Sequence, residues 1–92
     1  MKLESYQIDN LIYNLKVLCN ISKKGYYDFY KELGIDHSEV SNWKRRKRTP
    51  RFNSISMICD KLKISVNDIL NKKIRLVFTV EFENDELENK GE

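Results

Sequence analysis

Residues Gly34 to Pro50 read G-I-D-H-S-E-V-S-N-W-K-R-R-K-R-T-P, and the rest of the chain is organised around them. Asp36 can accept from the first free amides of a helix, and Glu39 three residues on can reach back to it, so a capping box predicts a helix from about residue 37. Helical spacing puts Val40 and Trp43 on an inward face and His37, Ser38, Ser41, Asn42 and Arg45 on the outward one. Lys44, Arg45, Arg46, Lys47 and Arg48 follow directly, with Arg51 beyond Pro50, six cations with no acid among them. A short hydrogen-bonding face beside a cationic clamp is the pattern of a DNA reader.

From Gly34 to Leu70 the chain resembles, without a gap, the helix-turn-helix of the XRE-type regulators, the family of the lambdoid-phage Cro and repressor domains. The matching residues are Leu33, Gly34 and Ile35 at the turn, Val40, Ser41 and Trp43 in the second helix, and Lys47, Arg48, Thr49 and Pro50 after it. Ser65 to Leu70, S-V-N-D-I-L, looks like the family's last helix. The chain departs from the pattern at Tyr30 (usually a small Ala), Tyr26 (often a phosphate-binding Gln), and Arg46 and Lys63 (usually Gly). The resemblance implies base contact at Asp36, His37, Ser38 and Asn42, and phosphate contact at Tyr26, Arg45, Lys47, Arg48 and Arg51, to which Ser41 and Lys44 are added here. Side-chain chemistry agrees for most of them: Asn42 can pair with an adenine edge, Ser38 can donate or accept, and His37 can donate to guanine. Asp36 is better read as a cap, since a carboxylate near phosphates is otherwise unhelpful.

Ninety-two residues make one domain, 40% apolar and 11% aromatic, with a core only just large enough to stand alone. No apolar run is long enough to span a membrane and the start does not read as a signal peptide, so a cytoplasmic protein is expected. The net charge of +3 hides an asymmetry. Residues 83–92 hold five acids against one lysine, a net −4, which leaves +7 on residues 1–82. A basic body fits a polyanionic partner. Cys19 and Cys59 fall on apolar helical faces and read as buried thiols; with one histidine they match no metal spacing, so no metal or cofactor is expected.

Ile8, Leu11, Ile12, Leu15, Leu18 and Cys19 mark a first helix over about 6–20. Ser22 reads as the cap of a second, whose Tyr26, Phe29, Tyr30 and Leu33 repeat as core. Tyr26 or Tyr27, at its exposed start, is placed to donate to a phosphate. Gly34 is the left-handed residue that turns the chain into the reading helix. Ile55, Ile58, Cys59 and Leu62 give a fourth helix, and Ser65 with Asp68 caps a short fifth. Beyond it Ile74, Leu76, Phe78, Val80 and Phe82 alternate with Arg75, Thr79 and Glu81, Val77 being the lone exception, the period of a strand.

The expected fold is mainly α, a five-helix lambda-repressor-like bundle over residues 1–72, then a C-terminal strand over 73–83 and a disordered acidic tail over 84–92. The strand has no partner of its quality within the chain, so it is expected to pair with its copy in a homodimer. Function is read as a sequence-specific repressor of double-stranded DNA on an inverted-repeat operator. The alternative is an antitoxin or antirepressor whose strand binds another protein. An enzyme is disfavoured, because nothing resembles an acid–base pair or a nucleophile with its base.

Overall fold

The computed structural model describes residues 2–76. Five helices follow one another: α1 Ser5–Ser22, α2 Tyr26–Leu33, α3 His37–Lys44, α4 Phe52–Leu62 and α5 Val66–Asn71. The core is drawn from all of them. Leu11, Leu15, Ile55 and Ile58 are fully enclosed, and Phe29, Tyr30, Leu33, Val40, Trp43, Ile69 and Leu70 close around them. Of the apolar stripe on α1, Ile8, Leu11, Leu15 and Cys19 are buried while Ile12 and Leu18 pack at its edge. Cys19 and Cys59 are both buried and unpaired with each other.

Two buried residues of α1 are polar, and they dock its far neighbour. Asn14 Nδ2 donates to the carbonyls of Ile69 (2.9 Å) and Lys72 (2.8 Å), and its Oδ1 accepts from the Ile74 amide (2.8 Å). Asn10 Nδ2 donates to the Leu70 carbonyl at 2.8 Å. The Ile69 and Leu70 carbonyls, left free at the end of α5, are thus satisfied inside the protein by side chains one helical turn apart.

Turn chemistry explains the other boundaries. Gly34, at φ 84°, ends α2, and its amide returns to the Lys31 carbonyl. A Cβ there would lie 3.1 Å from Met57 Cε and Sδ, the far end of a flexible side chain, so it is chiefly the left-handed conformation that calls for glycine. Ser22 does not cap α2: its hydroxyl donates to the Cys19 carbonyl and accepts from the Lys24 amide, which finishes α1. The cap position of α2 is Gly25, with no side-chain cap. Serine serves either end of a helix because its oxygen both donates and accepts. Ser65 caps α5 as expected, accepting from the Asp68 amide at 3.0 Å.

Tyr30, standing where the family has a small residue, is 2% exposed. It lies stacked under Tyr26, centroids 5.7 Å apart and planes at 14°, and edge-on to Phe29 at 5.4 Å. Burial, then the neighbouring Tyr26, pushes its phenol pKa well up.

The C-terminal strand falls mostly beyond the described residues. Val77, Phe78, Val80 and Phe82 lie outside them, as does the acidic tail. Within them Ile74 is half-buried, Leu76 is 65% exposed, and no strand occurs among the described residues.

Candidate nucleic-acid interface

Helix α3 starts where the capping residue predicts. Asp36 accepts from the Ser38 amide at 2.9 Å and from the Ser38 hydroxyl at 2.9 Å. Those two bonds, the backbone one first, hold the Asp36 carboxyl below the usual range. The other half of the expected box does not form. Glu39 Oε1 is buried without a hydrogen-bond partner among the described residues, in a depression it shares with Arg48 and Arg51.

Val40 and Trp43 are buried, 6% and 3% exposed, which fixes the rotation of α3 and turns His37, Ser38 and Ser41 to solvent; Asn42 is half-buried at the margin. With its hydrogen given to Asp36, the Ser38 oxygen is left as an acceptor. The His37 ring stands edge-on to Tyr27 at 5.8 Å with Nδ1 3.5 Å from Asp36 Oδ1. That leaves Nε2 on the open side.

The end of α3 separates the six cations into two kinds. Arg46 takes φ 60°, a left-handed conformation, and its amide donates to the Trp43 carbonyl while the Lys47 amide donates to Asn42 at 2.9 Å. This is the Schellman ending, made by an arginine where glycine is usual. Its guanidinium makes four hydrogen bonds: Nη1 donates to the Trp43 carbonyl (2.9 Å), and Nη2 to the Ser5 carbonyl (3.1 Å), Ser5 Oγ (2.7 Å) and Asp9 Oδ1 (2.7 Å). Arg46 is a tie between α3 and the start of α1, which sets it apart from the other five cations. Lys44, Arg45, Lys47, Arg48 and Arg51 are exposed, and none is in an ion pair among the described residues.

Tyr26, 52% exposed, and Tyr27, 59% exposed, stand at the start of α2 beside this face. Lys16, which sequence reasoning passed over, joins them: it lines one depression with Tyr26, His37, Ser41 and Lys44. Nothing in its local spacing marks it, because it sits on the polar side of α1, far along the chain from the cationic run.

A short helix ended by a left-handed turn, packed against a second helix with an outward polar face and a cationic margin, is a helix-turn-helix DNA-binding unit. Residues 14–72 match the Cro/C1-type HTH DNA-binding domain family, and the chain belongs to it. Among solved structures the chain is similar to the solution structure of the SOS-response transcriptional repressor LexA from Eubacterium rectale. The TM-score is 0.59 at 20% identity, covering 100% of this chain and 98% of that one, a likeness of fold. No significant match was found among curated proteins. No described helix is long and apolar enough to cross a membrane.

Proposed function

We propose that this DNA-binding regulator is a sequence-specific repressor that works as a homodimer, occupying an inverted-repeat operator. The observation that carries the reading is the face of α3. It offers His37, Ser38 and Asn42 as short hydrogen-bonding side chains, flanked by five exposed cations without ion-pair partners among the described residues. On this reading His37, Ser38 and Asn42 read base edges, while Tyr26, Ser41, Lys44, Arg45, Lys47, Arg48 and Arg51 hold the flanking phosphates. Residues Ile74, Leu76, Phe78, Val80 and Phe82 form the dimer strand. The alternation of these five apolar residues with Arg75, Thr79 and Glu81 supports this, because a strand of that pattern needs a paired edge. A twofold axis would set two reading helices against half-sites about 34 Å apart.

Selection of binding sites from random duplexes tests the reading. An inverted repeat is expected, and Asn42→Ala should cost about 1–3 kcal/mol on it and relax one base pair in each half-site. The same sequence preference for wild type and Asn42→Ala would refute the assignment of Asn42. Phe78→Asp should give a helical monomer by sedimentation equilibrium that has lost full-site affinity; a wild-type monomer at micromolar concentration bound to one half-site would refute the dimer.

A further inference from the structure

Between α1, α2 and α3 lies a depression of about 120 Å³ whose polar lining is made only of hydrogen-bond donors and amphoteric groups: Lys16, Tyr26, His37, Ser41 and Lys44. No carboxylate lines it. Its floor is apolar, formed by Ile12, Val40 and the Tyr30 ring. Tyr30 stays protonated, since burial holds its phenol well above the ordinary range, and it brings no negative charge. Such a lining suits a compact anion. Two ammonium groups supply charge, two hydroxyls supply directed bonds, and the apolar floor keeps water from competing beneath it.

The position of the depression decides which anion. His37, Ser41 and Lys44 follow one another at helical spacing, so they form a single stripe on α3 next to the outward Ser38 and Asn42. Whatever sits there lies alongside a base contacted by α3. Tyr26 is held by its stack on Tyr30, which aims the first turn of α2 at the same point. Lys16 reaches it from α1, a third element.

We infer that this depression seats one phosphate of the DNA backbone, at the edge of the groove that α3 enters, and that Lys16 is a phosphate-binding residue of the interface. The inference rests on the DNA-binding reading above. It assigns to α1 a direct share in DNA affinity and makes the seat a three-helix site, so that one phosphate would fix the reading helix relative to the rest of the bundle.

The test is a titration of the full-length protein onto its selected operator between 50 and 200 mM salt, for wild type, Lys16→Gln and Lys16→Glu. Circular dichroism would check that the exposed substitutions leave the fold intact. Loss of one phosphate contact flattens the slope of log affinity against log salt by about 0.9, so the penalty of Lys16→Gln at 50 mM should exceed that at 200 mM by about 3.5-fold. Lys16→Glu should bind more weakly than Lys16→Gln. A neutral methylphosphonate placed at successive backbone positions locates the contact. At one position in each half-site, wild type and Lys16→Gln should bind with the same affinity.

If wild type binds with a steep salt slope that Lys16→Gln leaves unchanged, the inference fails while the DNA reading stands. If wild type binds no duplex, the DNA reading itself fails. Inorganic phosphate, titrated at fixed ionic strength, separates the other source of the anion. Saturable binding that Lys16→Gln abolishes, together with an unchanged DNA slope, would make this a free-anion site and overturn the backbone assignment.

Discussion

Replacing Arg46 separates structure from DNA binding more sharply than any other change in the cationic run. Arg46→Ala removes the bonds from the guanidinium to the Trp43 and Ser5 carbonyls, to Ser5 Oγ and to Asp9, yet keeps a Cβ on a backbone at φ 60°. Charge-assisted hydrogen bonds contribute about 1.5–3 kcal/mol each when buried, but this side chain is 35% exposed and its Asp9 partner 65%. Discounted for that screening, the whole set is worth about 2–3 kcal/mol. Arg46→Gly loses the same bonds but relieves the left-handed conformation, worth about 1–2 kcal/mol, so it should cost only about 1 kcal/mol. In a domain of this size each kcal/mol moves the Tm by about 4–8 °C. Thermal unfolding should therefore rank wild type above Arg46→Gly and Arg46→Gly above Arg46→Ala, the last two several degrees apart. The salt dependence of DNA binding should be the same for all three, whereas Arg48→Ala should flatten it by about 0.9. An Arg46→Ala protein as stable as wild type, with a salt slope flatter by a full unit, would return Arg46 to the clamp and refute the reasoning.

Asn14→Ala should destabilise by about 3 kcal/mol, since it strips partners from two carbonyls and an amide at the end of α5; thermal unfolding would show a fall of about 12–24 °C. Gly34→Ala should cost about 1–2 kcal/mol through its φ of 84°, with Gly34→Val costing more because the branched side chain also meets Met57; denaturant midpoints would rank the three. Asp36 has a folded pKa below its unfolded value, so its contribution is present above about pH 4 and is lost as pH falls through the folded value. The stability gap between wild type and Asp36→Asn, followed by urea unfolding, should accordingly close below pH 4. A gap that stays constant from pH 6 to pH 3 would show that the carboxylate charge plays no part in the cap.

The helices were legible because their signals are local. Val40 with Trp43, and Ile55 with Ile58 and Cys59, repeat at a spacing that only one periodicity satisfies. What stayed hidden depends on contacts made across the chain. Asn10 and Asn14 sit on the buried side of α1, and a count of apolar residues passes over them, although their bonds to Ile69, Leu70 and Lys72 hold the last helix in place. Ser22 has the chemistry of a cap at either end of a helix, and only the paths of both helices decide between them. The tail strand stayed a matter of pattern alone, with Phe78, Val80 and Phe82 outside the described residues.

Counting charges along the run does not reveal the bonds that Arg46 makes, and those bonds bear on how α3 is held. Three non-glycine residues, Lys23, Arg46 and Lys63, end helices in the left-handed conformation, at φ between 60° and 62°. Each carries a backbone cost that glycine would avoid. For Lys23 and Lys63 the ion pairs among the described residues show no compensating partner. For Arg46 the offset is visible in Ser5 and Asp9, which lie on the first two turns of α1. The arginine therefore costs stability through its backbone and returns it through a bond between the end of the reading helix and the start of the first. That bond ties the end of α3, and with it the face that carries Ser38 and Asn42, to the start of α1. A glycine at 46 would make a better turn but would leave that relation to packing alone. Binding of Arg46→Gly should then lose more affinity on the selected operator than on random duplex. An equal loss on both would mean that the tie serves stability only.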